Sequence, residues 1–264
     1  MPHAAGLWYE WHGPEEGEVL ILSAGLGGSG SYWESNLPSL TERYRVLLYD
    51  HRGTGRSDRE LPDASVEAMA DDILALMDAL GVARATVIGH AAGGVAALAL
   101  ALKATDRLDS VVAVNAWLRP DRHFLRCFEL RLALLRDSGV EAYLRAQPLF
   151  LYPANWISDN LDRLDEEAAR QLAAFPGRET VERRIAALAA FDVGDRVAEF
   201  RVPIFALSAR DDMLVPSHCI DAFYDTRGGI GVMGVGGHAC NVTEPQQFAL
   251  FVRNFLDHEI YPAE

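Results

Sequence analysis

An α/β fold, with a mostly parallel central sheet carrying helices on both faces, is what this sequence predicts, and three observations predict it. Short apolar runs stop abruptly at Ser, Asp or Gly; helical patterns separate them; and the alternation lapses once, after residue 117, before resuming near residue 203. Continuous and partly β-branched runs suit strands covered on both faces, as in parallel sheets.

Val19-Leu20-Ile21-Leu22 is the first such run and ends at Ser23-Ala24-Gly25. Val46-Leu47-Leu48-Tyr49 ends at Asp50, Thr86-Val87-Ile88 at Gly89, and Val111-Val112-Ala113-Val114 is the fourth. Between them, Glu67 to Leu80 sets Met69, Ile73, Leu76, Met77 and Leu80 on one helical stripe and terminates at Gly81. Ala92 to Leu102 is small and apolar all round, as a helix buried against a sheet should be. Residues 118–198 then read as helices: Phe124 to Leu135, Val140 to Ala146, Glu166 to Phe175 and Glu179 to Ala190, with a loop expected from Pro148 to Pro153. The core pattern returns with the run Pro203 to Leu207, a helix near Ser217 to Tyr224, the run Ile230 to Met233, and a helix from Pro245 to Leu256. The predicted organisation is a core of residues 1–117 and 199–264 with a helical cap, 118–198, inserted before the strand that carries a candidate acid.

The 264 residues are half hydrophobic, enough for a sizeable core, and carry a formal net charge of -14. Such a chain repels nucleic-acid phosphates and anionic lipid, so neither is expected as a partner. Three cysteines, Cys127, Cys219 and Cys240, form neither a CxxC pair nor an even framework, which fits a reducing compartment. No signal-peptide pattern opens the chain, and its longest apolar stretch, Ala91 to Leu102, is too short to span a bilayer. A cytoplasmic protein acting on a small molecule is expected, and a homodimer is compatible with the sequence.

Three loops at strand ends carry the chemistry, where open α/β sheets bind ligands. Gly25-Leu26-Gly27-Gly28-Ser29-Gly30 follows the first strand. Its glycines also fit a dinucleotide fingerprint, but Pro38 interrupts the helix such a loop must open. Asp50 is better explained by the turn Asp50-His51-Arg52-Gly53-Thr54-Gly55-Arg56-Ser57, where Asp50 and Arg52 brace loops. No cofactor is therefore expected. The eight histidines are scattered without paired spacing, so no metal site is expected either. Gly89-His90-Ala91-Ala92-Gly93-Gly94 joins a strand to the alanine-rich helix and resembles a nucleophile elbow, Gly-x-Ser-x-Gly, with Ala91 where serine would stand. Asp212, in Asp211-Asp212-Met213-Leu214-Val215-Pro216, and His238, in Gly236-Gly237-His238, complete the order nucleophile, acid, histidine. Asp211 reads as a solvated neighbour or a loop cap, and Cys240 as structural. His90 neighbours the elbow, Asn115 and Trp117 end the strand that leads into the cap, and Phe150, Tyr152 and Trp156 belong to the cap.

These motifs resemble the α/β-hydrolase superfamily. Three segments carry a closer resemblance, to the hydrolase family of the bacterial pyrimidine-utilisation (Rut) pathway: Gly25 to Trp33, Gln147-Pro148-Leu149-Phe150-Leu151-Tyr152-Pro153-Ala154, and Gly236 to Thr243. The likeness runs along nearly the whole chain. It implies release of uracil-derived nitrogen as ammonia, by hydrolysis of aminoacrylate or carbamate. That family's elbow likewise reads Gly-His-Ala-x-Gly, so alanine at position 91 does not require an engineered substitution. The resemblance implies His238 and Asp212 as the catalytic pair at an elbow, Ala91, that has no nucleophile. Gly25, Leu26, Gly27 and Ala92 would supply an oxyanion pocket, with His90, Trp117, Tyr152 and Trp156 lining the substrate. Three alternatives stay open: a non-catalytic binder of small carboxylates, a serine esterase captured as a serine-to-alanine variant at Ala91, and a cofactor-free oxygenase or lyase.

Overall fold

The computed structural model describes residues 2–260, with side chains as far as Asp257. Eight strands form one sheet: β1 (His3–Ala4), β2 (Leu7–His12), β3 (Val19–Ser23), β4 (Arg45–Tyr49), β5 (Ala85–His90), β6 (Leu108–Val114), β7 (Ile204–Ala209) and β8 (Ile230–Met233). Their spatial order is β1-β2-β4-β3-β5-β6-β7-β8, parallel from β4 to β8 and antiparallel where β2 joins β1 and β4. Each apolar run read from the sequence is a strand. The N-terminal hairpin was not foreseen, because Leu7-Trp8-Tyr9-Glu10-Trp11-His12 mixes charge with aromatics on a strand only partly buried.

Strand register decides where the loops meet. Ser23 lies beside Gly89, His90 beside Val114, and Val114 beside Leu207, so the parallel strands end level with one another. The loops after β3, β5, β6 and β7 therefore open onto one region.

Helices α1 (Leu37–Leu40), α2 (Val66–Ala79) and α3 (Ala92–Lys103) belong to the core. α2 is N-capped by Ser65, whose hydroxyl accepts from the Ala68 N–H at 3.1 Å. Side chains of α2 and α3 pack on one face of the sheet. Trp33, Leu40, Phe248 and Val252 cover the other. Among the described residues no helix is long and apolar enough to cross a membrane.

Five helices intervene between β6 and β7: α4 (Arg122–Ala133), α5 (Gly139–Leu151), α6 (Ala154–Asp159), α7 (Leu161–Ala173) and α8 (Arg178–Ala190). The loop expected at Pro148 to Pro153 is corrected in its first half. α5 continues through Pro148 to Leu151, and the Tyr152 N–H still donates to the Pro148 carbonyl at 3.0 Å. A proline in the last turn forfeits only one internal hydrogen bond, so the helix survives it. The inserted helices are fastened to the core by backbone carbonyls. Arg183 donates to the Leu61 and Pro62 carbonyls, Arg184 to those of Ala64 and Arg52, and the Ala239 N–H to that of Leu151. Two helices close the chain, α9 (Cys240–Thr243) and α10 (Pro245–Ile260).

The turn after β4 is a buried electrostatic clamp. Asp50 is fully buried and accepts from the Gly30 and Arg56 N–H groups and from both Nε and Nη2 of Arg56, each at 2.8 Å. Burial pushes its carboxyl up, but these donors outweigh it and hold the group below the usual carboxylate range. Arg52 reaches Asp72 at 2.9 Å and the Ala5 carbonyl, tying the hairpin to α2. Replacing Asp50→Asn should lower stability by about 2–4 kcal/mol, because Arg56 loses its counter-charge beside a buried acceptor. Urea unfolding followed by circular dichroism measures this, with Asp63→Asn as the surface control.

Candidate active site

β5 turns into α3 through a single residue. Ala91 has φ 47° and ψ -107°, a conformation that costs a residue with a Cβ roughly 1–3 kcal/mol. A Cβ on Gly89 would overlap the Gly93 carbonyl, and one on Gly93 the Ser23 carbonyl at the end of β3. The glycines at these positions are therefore obligatory for the turn. The elbow is built as for a nucleophile, yet Ala91 presents a methyl group.

His238 lies beyond β8, and Asp212 in the turn after β7. Nδ1–H of His238 donates to Asp212 Oδ2 at 2.8 Å, with both side chains buried. Asp212 Oδ1 accepts from the N–H groups of Leu214 (2.7 Å) and Val215 (2.9 Å), which fixes the orientation of the carboxylate. Nε2 of His238 has no hydrogen-bond partner among the described residues. The loop is held from below by its own backbone. The His238 carbonyl accepts from His90 Nε2 at 2.8 Å and from Asn115 Nδ2 at 2.5 Å, and Asn115 Oδ1 accepts from the Ala209 N–H. Asp211 caps it, accepting from the Gly236 and Gly237 N–H groups.

Of the glycine loop, Gly25 accepts from the Gly28 N–H and sits where a Cβ would fall 2.9 Å from His90 Nδ1. The N–H groups of Leu26 and Ala92 donate to nothing among the described residues, as an oxyanion pocket requires. Gly27 is exposed, with open space at its Cβ position. His90 is buried between Tyr32, stacked at 4.9 Å, and His238, whose ring lies 4.6 Å away. Burial, then the nearby His238, holds its imidazole well below the usual value. Since Nε2–H serves a carbonyl, Nδ1 is an unpartnered buried acceptor. Trp117 is buried against Phe124 at 4.3 Å, its indole N–H unpartnered. Tyr152 is buried in one cluster with Ala239, the residue after His238, and Trp156 stacks on Tyr152 with Arg163 over its own ring. Phe150 packs with the same apolar cluster as Ala91. Cys240 is a buried thiol pushed up to about 12, chiefly by burial and then by Asp212, which suits a structural role.

One group of metal-ligand type occurs among the described residues: Asp121, His218 and Cys219 lie within 4.8 Å of one another. Chain spacing hid it, because Asp121 lies at the start of the insertion and the His218-Cys219 pair follows β7, after its end. Asp121 already caps α4 through the His123 N–H, and burial pushes the Cys219 thiol up to about 12.

Residues 18–139 match the family model described as alpha/beta hydrolase fold. The chain is 49% identical to “Putative carbamate hydrolase RutD” of Caulobacter sp. (strain K31), over 96% of this chain and 97% of that one. It is 51% identical to the protein of the same name from Caulobacter vibrioides (strain NA1000 / CB15N), over 96% of each. The chain belongs to the RutD family. Among solved structures, the enol-lactonase from Burkholderia xenovorans LB400 superposes with a TM-score of 0.84 at 25% identity, over 97% of this chain and 98% of that one.

Two residues of this RutD-family site are not evident from the motifs. Tyr32 roofs His90 and donates to Asn241 Oδ1 at 2.7 Å. Its signal was only its place after the glycine loop. Arg131 is buried in α4, where it interrupts the apolar stripe of Phe124, Phe128 and Leu135, and a charge on a buried stripe was a legible signal.

Behind the glycine loop, His51 is buried with Nε2 3.3 Å from Ser23 Oγ, which in turn meets the Tyr49 hydroxyl at 2.7 Å. Burial, and then the charge of Arg184, hold His51 down at about 3. Unfolding restores an ordinary value near 6.5, so the unfolded chain binds protons first as pH falls. The contribution is complete above about pH 6.5 and shrinks toward about pH 3, at up to about 1.4 kcal/mol per pH unit. Urea midpoints should therefore fall between about pH 7.5 and pH 5, and His51→Gln should flatten that dependence.

Proposed function

We propose that this protein hydrolyses a carbon–nitrogen bond of a small, labile carboxylate, carbamate or aminoacrylate, in pyrimidine nitrogen catabolism, releasing ammonia without a covalent intermediate. The observation that carries the reading is a complete His238–Asp212 pair set over an elbow whose central residue, Ala91, has no nucleophilic atom. The carbamate assignment follows the name carried by relatives at about half identity; aminoacrylate follows the family resemblance.

Alanine forms no acyl-enzyme, so stable esters and amides are poor substrates. A positioned acid–base contributes roughly 10²–10⁴ in rate and each oxyanion donor roughly 10²–10³. That suffices for a substrate that already decays in water. In this mechanism the Leu26 and Ala92 N–H groups hold the substrate carboxylate. With carbamate, His238 Nε2–H protonates nitrogen, the C–N bond breaks, and ammonia and carbon dioxide leave. With aminoacrylate, the same proton goes to the enamine carbon and gives an iminium. Neutral Nε2 then takes a proton from the water that attacks the iminium carbon and gives it to the carbinolamine nitrogen; the C–N bond breaks, ammonia leaves, and Nε2 takes up the hydroxyl proton as the aldehyde forms, which restores the imidazolium. Asp212 orients His238 and stabilises its imidazolium form. Tyr152 and Trp117 line the substrate space, and residues 118–198 act as the cap that limits water.

Ammonia release from freshly generated aminoacrylate, and in parallel from carbamate, tests this. The native chain should exceed background and His238→Ala should fall to it, a loss of roughly 10²–10⁴. An unchanged rate in His238→Ala would sink the mechanism. Saturable carboxylate binding with no excess rate on either substrate would favour a non-catalytic binder, the reading that Ala91 itself motivates. Ala91→Ser should acquire a burst with a nitrophenyl ester, because the strained elbow is already in place; stopped-flow absorbance reads it.

A further inference from the structure

Arg131 is a buried guanidinium without a counter-ion. It is 4% exposed, and no carboxylate lies within ion-pair distance of it among the described residues. Its one hydrogen bond, from Nη2 to the Tyr143 hydroxyl, is long at 3.5 Å, and Nε is enclosed with no partner. The rings of Phe128, Tyr143 and Phe150 surround the cation at 5.5, 5.9 and 5.8 Å, near the outer limit of useful cation–π attraction. Such contacts fall short of the cost of desolvating a charge that cannot be neutralised by losing a proton. The other buried arginine of the insertion, Arg184, shows the contrast: its nitrogens donate to two backbone carbonyls.

The position of Arg131 matters as much as its burial. Its helix stripe runs from Phe128 to Phe124, and Phe124 packs on Trp117 at the end of β6. Helical side chains lean toward the N-terminus, so the guanidinium reaches back along this stripe. On the facing helix, Phe150 precedes Leu151, whose carbonyl holds the Ala239 N–H beside His238. Ala91, Trp117, Phe124, Phe128, Tyr143 and Phe150 all belong to the larger apolar core on this face of the sheet, and Arg131 lies against three of its rings, those of Phe128, Tyr143 and Phe150.

We propose that Arg131 is the anion-selecting residue of this site: it supplies the charge that draws a small carboxylate beneath the inserted helices and, together with the Leu26 and Ala92 N–H groups, holds it there. The protein carries a net charge of -14, which opposes entry of an anion, and the backbone N–H groups of the pocket bring no net charge of their own. A desolvated guanidinium supplies it and completes its own coordination on binding. The proposal rests on the carboxylate-substrate reading above and assigns the residue that makes the site selective.

The test uses acrylate, an unreactive carboxylate, and acrylamide, its neutral counterpart, titrated calorimetrically into the full chain and into Arg131→Met and Arg131→Lys. The native protein should bind acrylate and not acrylamide. Arg131→Met should lose acrylate affinity by about tenfold or more while melting at the same temperature or higher, since an apolar side chain relieves an unpaired buried charge. Arg131→Lys should retain part of the binding, as a point charge without the guanidinium fork. Acrylate binding unchanged in Arg131→Met, no acrylate binding by the native protein, or a lower melting temperature in Arg131→Met with binding intact, would each overturn the proposal. Turnover is read separately. Ammonia release with Arg131-independent binding leaves the hydrolase reading standing and removes Arg131. Arg131-dependent binding without ammonia release does the reverse.

Discussion

The site depends on one backbone constraint: a strand buried on both sides must become a buried helix within a single residue. β5 is flanked by β3 and β6, and α3 lies directly against the sheet, so no room exists for a longer connection. Ala91 takes the strained conformation that such a turn demands, and Gly89 and Gly93 permit the approach of backbone to backbone. Strain of this kind persists only where the surroundings impose it. Here it leaves the first N–H of α3, that of Ala92, without a hydrogen-bond partner among the described residues, as is the N–H of Leu26. The elbow is thus useful as an arrangement of dipoles even though its central side chain is inert.

A second layer of polar groups places the acid–base pair. His238 is located less by its ring than by its carbonyl, which collects donors from His90 on β5 and from Asn115 just beyond β6. Asn115 itself is held at φ 46° and also accepts from the Ala209 N–H at the end of β7. The ends of three strands therefore converge on one loop. Every one of these groups is buried, where leaving a partner out is expensive, so the loop has little freedom to move away from Asp212. The two N–H donors on Asp212 serve the same end by fixing the other oxygen of its carboxylate.

On the proposed hydrolase reading, the absence of a nucleophile at Ala91 shifts the burden to the substrate, which has to be reactive enough for proton transfer and positioning to suffice. Such a substrate also has to be recognised with few contacts because it is small. An unpaired guanidinium is a costly feature in a folded protein, and it is the kind of local inconsistency that functional sites retain. The cap and the core are joined mainly by arginines donating to carbonyls, and Arg131 stands apart from that pattern.

Much of this was legible in the residues alone. The periodicity of apolar runs is a local consequence of being buried on one or two faces, so the parallel strands, α2 and α3 could be read directly. The glycine spacing of the elbow was legible because only glycine tolerates those contacts, and the order of Ala91, Asp212 and His238 follows from the strand order. What the sequence could not determine depends on distance through space. The N-terminal hairpin needed a neighbour, β4, to be a strand at all. α5 ran through Pro148 because tertiary packing outweighs one lost hydrogen bond. The pairing of Asp121 with His218, and the absence of any carboxylate near Arg131 among the described residues, arise between segments far apart in the chain. Local pattern determined the frame and the reactive residues; only the tertiary structure decided which charges were satisfied, because satisfaction is a property of neighbours.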